Sequence, residues 1–137
     1  MDESAVRAWV DRYREAWESN DPDTIGGLFA DGARYHTEPY AEPIAGRDAI
    51  VADWLERKDE PGQTSFRSEV LAIAGDVAFV RGWTTYFDPP QRDYSNLWVI
   101  RFDGDGRCEE FTEWWMKHRA TQGSGSGSGS NSGSGSG

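Results

Sequence analysis

The chain has 137 residues, 24 acidic against 14 basic side chains, a formal net charge of -10 and a single cysteine. Such acidity excludes the clustered lysine and arginine that a nucleic acid backbone or an anionic membrane surface requires. One thiol excludes an intramolecular disulfide, and two histidines far apart in sequence, His36 and His118, offer no metal-ligand spacing.

No run approaches the ~20 apolar residues of a membrane span, and the N-terminus lacks a signal-peptide pattern. The sequence therefore reads as a cytoplasmic, soluble domain in which Cys108 is a buried, inert thiol. From Gly123 onward it is a Gly-Ser repeat broken by Asn131, which reads as a flexible linker or tag. The expected organisation is a single domain over 1–122 followed by a disordered tail over 123–137.

Val6, Trp9, Val10, Tyr13 and Trp17 recur at helical spacing, with charged residues on the other faces, and predict a first amphipathic helix. Asn20-Asp21-Pro22 stops it and starts a second, with Asp21 as N-cap and Pro22 at the first helical position. This short helix is expected to carry Ile25, Leu28 and Phe29 and to end near Asp31-Gly32. Ala33 to Glu38 alternates as a strand. After a loop with Pro39 and Pro43, Gly46-Arg47-Asp48 opens a third helix carrying Ile50, Val51, Trp54 and Leu55, which Pro61-Gly62 ends.

The period then changes to 2. Strands are predicted over 64–74, 77–87, 93–103 and 107–117, separated by short turns, which gives an antiparallel meander. Helices followed by strands indicate an α+β domain. Both strand faces are rich in apolar residues, so one face is expected to pack on the helices around a cavity and the other on a second copy, making a homodimer. Arg81 and Arg101 belong on the outer face, because an unpaired buried guanidinium is costly. That places Tyr86, Asn96 and Trp98 on the concave side.

Three segments carry a family resemblance: Ala16 to Asp23 with Leu28 to Asp31, Glu38 to Ile50, and Phe102 to Arg107. Together they resemble the SnoaL-like branch of the nuclear transport factor 2-like superfamily, small bacterial proteins with a cone-shaped α+β barrel. The resemblance implies three N-terminal helices on a curved antiparallel sheet around a hydrophobic pocket. Members include polyketide cyclases, ketosteroid isomerases, dehydratases, epoxide hydrolases and non-catalytic binding domains, so function has to be argued from the pocket.

Family enzymes commonly project an Asp or Glu from the last strand into the cone, and Glu113 stands at a matching place. In a regular strand it shares a face with Phe111 and Trp115, although a bulge near Cys108-Glu109-Glu110 would swap the faces. Two orientations are open: inward, where burial raises its pKa and suits it to proton transfer, or outward to solvent or an arginine such as Arg81 or Arg101. Of the adjacent pair Tyr35 and His36, only one can line the cavity. His36 is preferred as a second catalytic residue, with Arg34 and Glu38 on its face.

Tyr86 and Asn96 are candidate donors to a substrate oxygen. Trp17, Trp54, Trp98 and Phe111 are candidate pocket walls, and Tyr40 a candidate cover for the mouth. The preferred reading is a cofactor-independent isomerase, cyclase or dehydratase acting on a small apolar carbonyl compound. A non-catalytic hydrophobic-ligand-binding domain and a dimerisation scaffold filled by its own tryptophans remain open beside it.

Overall fold

The computed structural model describes residues 1–57 and 64–118. The expected end of the third helix at Pro61-Gly62 and the Gly-Ser tail lie outside the described residues. In chain order the elements are α1 (Glu3–Ser19), α2 (Pro22–Gly26), β1 (Phe29–His36), β2 (Ile44–Ala45), α3 (Arg47–Glu56), β3 (Thr64–Ala74), β4 (Val77–Tyr86), β5 (Arg92–Phe102) and β6 (Cys108–Lys117). Among the described residues no helix is long and apolar enough to cross a membrane.

α1 forms as its periodicity predicts. Asp2 caps it by accepting from the Ala5 amide at 2.8 Å, and Val6, Trp9, Val10, Tyr13 and Ala16 are buried. α2 begins on the expected cap, Asp21, with Pro22 in its first turn, but stops at Gly26. Leu28 and Phe29 therefore lie beyond it. Gly26 and Gly27 weaken the helix, and the Leu28 carbonyl is engaged elsewhere, accepting from the Trp9 indole at 3.0 Å and the Cys108 amide at 2.9 Å. Phe29 opens β1, four residues earlier than the alternation beginning at Ala33 suggests.

The sheet order is β2-β1-β6-β5-β4-β3, and it does not close. β3 to β6 form the expected antiparallel meander. β1, however, joins β6 in parallel, so the sheet is mixed rather than wholly antiparallel. A parallel pair needs a long crossover, and the chain from α3 through β5 supplies it. Arg47 fastens α3 to β1 by donating twice to the Phe29 carbonyl, at 3.1 Å each, and pairing with Asp31 at 2.8 Å.

The core lies between α1 and the concave sheet face. Trp9 contacts Phe29 and Phe102 edge-on at 6.2 and 5.7 Å between ring centroids, and Phe111 at 6.2 Å. It is fully buried, and its indole nitrogen bonds the carbonyl to which β6 is also tied. Trp9→Phe should keep most of the packing but leave one donor of the Leu28 carbonyl missing, and so lower stability by about 1–3 kcal/mol in urea titration. An unchanged midpoint would show that the indole bond carries no weight.

Candidate functional site

The inward parity of β6 is set by one extra residue at its start. Phe102 pairs with Cys108, whereas Arg101 pairs with Glu110 and Ile100 with Phe111. Two residues of β6 therefore oppose one step of β5, a β-bulge at Cys108–Glu110. Cys108 faces the core before the bulge, and Phe111 and Glu113 face it after. Burial raises the Cys108 thiol well above its ordinary range, in keeping with an inert core residue.

Glu113 reaches a cavity of about 170 Å³ walled by Trp17, Trp54, Phe66 and Trp98, with Tyr13, Tyr35, Thr84, Asn96 and Tyr86 adding hydroxyl and amide groups. Its Oε2 accepts from Asn96 Nδ2 at 2.6 Å and from Trp98 Nε1 at 3.4 Å. Asn96 is itself held, because Thr84 Oγ1 donates to its Oδ1 at 2.8 Å and leaves the amide aimed at the carboxylate. Thr84 and Asn96 are both buried. Desolvation raises the Glu113 pKa, and the Trp98 and Asn96 bonds restrain that rise.

Tyr13 and Tyr35 share a hydrogen bond of 2.9 Å between their hydroxyls in the same cavity. Burial chiefly raises both phenols, and the nearby Glu113 charge adds to it. When one hydroxyl donates to the other, the receiving hydroxyl keeps a proton for a ligand oxygen.

Glu113, Asn96, Trp98, Tyr86, Trp54 and Trp17 are thus brought together, and three other candidates are not. His36 lies on the opposite face of β1 from Tyr35. Its Nε2 meets Glu110 Oε2 at 2.9 Å and its Nδ1 lies 3.3 Å from the Ala41 carbonyl. Arg34 shares that outer side and pairs with Glu110 at 3.1 Å. Tyr35 lines the cavity instead of His36, because β1 buries Ala33 and turns Arg34 to solvent. Tyr40 does not cover the mouth. It is 97% exposed, in a left-handed conformation, with its ring edge-on to Trp114 at 5.9 Å. Phe111 is fully buried and stacks on Tyr35 at 4.9 Å, so it supports the wall from behind.

The cavity is also lined by Tyr13, Tyr35, Thr37, Asp53, Arg57, Phe66 and Thr84, which sequence patterns alone do not mark as site residues. Arg34 held the signal for Tyr35, since the reasoning that places Arg81 and Arg101 outside applies to it equally. Phe66 depends on Gly82, where a Cβ would lie 2.6 Å from its ring. The missing side chain lets Phe66 lie flat on Trp98, at 5.1 Å and 15°.

Helices layered on the concave face of an open mixed sheet, with a carboxylate inside, define a protein of nuclear transport factor 2-like fold. The chain belongs to the SnoaL-like domain family, whose sequence pattern matches residues 10–111. Among solved structures, a nuclear transport factor 2-like protein of unknown function from Burkholderia xenovorans LB400 superposes with a TM-score of 0.67 at 16% identity, over 88% of this chain and 90% of that one. A protein from Kribbella flavida DSM 17836, provisionally described as a ketosteroid isomerase, gives 0.65 at 20% identity, over 88% and 84%. A cystatin-like domain of unknown function from Nostoc punctiforme PCC 73102 gives 0.60 at 22%, over 82% and 76%. These identities speak for the fold alone. No curated protein matches the chain significantly by sequence.

A carboxyl whose folded pKa is raised favours the neutral form on folding. Its contribution is complete below the unfolded-state value of about 4.3 and is lost as pH rises through the folded value. Glu113→Gln keeps an acceptor for Asn96 without the charge. Its melting temperature should therefore gain on the wild type as pH rises from about 4 to 8. A constant difference across that range would show that Glu113 ionises in the folded protein as it does in water.

Proposed function

We propose that the protein is a cofactor-independent isomerase, cyclase or dehydratase, in which Glu113 moves a proton on a small, largely apolar carbonyl compound. The observation that carries this reading is the partly buried carboxyl in an aromatic cavity, positioned by Asn96 and Trp98 and sharing that space with the Tyr13–Tyr35 pair.

In this mechanism the ionised Glu113 removes a proton α to the substrate carbonyl, and the tyrosine pair donates to the oxygen as it gains charge. The protonated Glu113 then returns the proton at another carbon, which isomerises the compound, or delivers it to a departing oxygen, which dehydrates it. Asn96 is a positioning residue, held by Thr84. These steps draw on side chains of the chain itself. The raised pKa helps, because a proton carrier works best when its pKa approaches the working pH.

The cavity speaks against a scaffold filled by its own tryptophans, since about 150 Å³ of apolar space already accepts a benzene-sized molecule. A binding domain without turnover differs from the proposed enzyme in one measurement. In deuterated water the protein should speed exchange of the methyl protons of acetophenone, followed by proton NMR, and Glu113→Gln should slow that exchange by about 10²-fold or more. Binding of acetophenone with exchange no faster than in buffer would assign the cavity to sequestration instead.

The proposal includes a homodimer formed through the outer sheet face. Phe79, Trp83, Leu97 and Val99 alternate there with the inward residues of β4 and β5 and are partly exposed, while Trp114 and Met116 of β6 are 40% and 63% exposed. Arg81 and Arg101 on that face are paired with Glu69 and Asp76, so their charge is largely matched. Light scattering should give a dimer mass for the wild type and a monomer mass for Leu97→Glu, which sets a carboxylate among these apolar groups. A monomeric wild type would overturn the interface.

A further inference from the structure

The concave face of the sheet does not end at the cavity. Pairing across β4, β5 and β6 arranges its residues in successive rungs. Beyond the fully buried Ala78, Ile100 and Phe111 come Val80, Trp98 and Glu113, followed by Gly82, Asn96 and Trp115, then by Thr84, Tyr94 and Lys117. Tyr86 and Arg92 form the outermost. The face thus runs from a carboxylate among buried rings to two cations at the rim.

Between these ends lies an open aromatic shelf. Trp115 stands two residues beyond Glu113 on the same side of β6 and is 46% exposed. Its ring meets Tyr94 edge-on at 5.9 Å, and Tyr94 meets Tyr86 edge-on at 5.6 Å. Tyr86 also lines the cavity, so the enclosed and open parts are continuous. Arg92 is occupied, pairing with Asp88 at 3.1 Å and lying 4.9 Å from the centre of the Tyr86 ring. Lys117 makes no ion pair among the described residues.

Two physical arguments give this shelf an occupant. The cavity, about 170 Å³, is smaller than the roughly 300–1,000 Å³ of most ligand sites, so a ligand of ordinary size would project from it. A projecting flat ring would cover the exposed Trp115 and the half-buried Tyr94, and aromatic faces favour ring contacts beyond the area they bury. Four residues of strand separate Glu113 from Lys117, about 13 Å. The Lys117 ammonium at that distance offers a local partner to a negative group at the far end of the ligand, against the general repulsion of a chain of net charge -10.

We propose that Trp115, Tyr94, Tyr86 and Lys117 form a second subsite, and that the ligand is an elongated aromatic acid. Its carbonyl end enters the cavity, its flat ring lies across the shelf and its carboxylate meets Lys117. This inference rests on the reading of the cavity as the seat of the carbonyl, and it specifies what that carbonyl is attached to.

Titration calorimetry with three probes tests it: acetophenone, 4-acetylbiphenyl and 4'-acetylbiphenyl-4-carboxylate. The carboxylate should bind about three- to fivefold more tightly than the neutral biphenyl at low salt, and Lys117→Gln should abolish that advantage. Trp115→Ala should weaken both biphenyls about tenfold while leaving acetophenone unchanged. Equal affinity of all three probes for the wild type, or no binding by any of them, would overturn the subsite. So would unchanged biphenyl affinity in Trp115→Ala with native circular dichroism. A wild type that binds both biphenyls equally, or a Lys117→Gln variant that keeps the carboxylate advantage, would remove Lys117 from it. The catalytic reading is separated by proton exchange: a protein that shows this binding pattern without exchanging acetophenone protons keeps the shelf and loses the enzyme.

Discussion

The cavity chemistry depends on a single extra residue in the last strand. Side chains alternate strictly along a strand, so one inserted residue exchanges the two faces for everything that follows. The bulge at Cys108–Glu110 does this to β6, giving the interior Phe111 and Glu113 and turning Glu110 outward to Arg34 and His36. Its start is held in place, because the Cys108 amide donates to the Leu28 carbonyl that also receives the Trp9 indole. One carbonyl thereby ties the first helix, the segment entering β1 and the beginning of β6 together. The carboxylate's address inside the fold is decided there, before the strand reaches the cavity.

Much of the architecture was legible because it rests on periodicity. The apolar spacing from Val6 to Trp17 and the alternation from Thr64 to Lys117 are strong local signals, and the turn residues between them punctuate the meander. The parallel contact of β1 with β6 was not legible, since it joins segments far apart in sequence and leaves no local mark. The end of α2 at Gly26 is hidden for a related reason. Leu28 and Phe29 fit a helical pattern, but the Leu28 carbonyl is claimed by two partners that arrive from elsewhere in the fold.

The site was legible wherever face assignment was secure. Arg81 and Arg101 fixed the outer faces of β4 and β5, and Asn96, Trp98 and Tyr86 followed. On β1 the charge of Arg34 marks the outer side, so His36 falls there and its neighbour Tyr35 lines the cavity. In the sequence Tyr13 is one member of a helix's apolar stripe. Its hydroxyl became chemically relevant when the fold brought it to Tyr35 across the cavity. Such a pairing between a helix and a strand has no signature in either segment alone.

The bare backbone at Gly82 places a lever on the site at a distance from it. Phe66 leans into the space that a methyl group would occupy, stacks on Trp98, and Trp98 in turn donates to Glu113. A change of one carbon on β4 would therefore be felt as a tilt in the indole that steadies the acid. Variation at this position offers a lineage a way to retune the carboxylate's strength and the width of the chamber while every residue that touches a ligand keeps its identity.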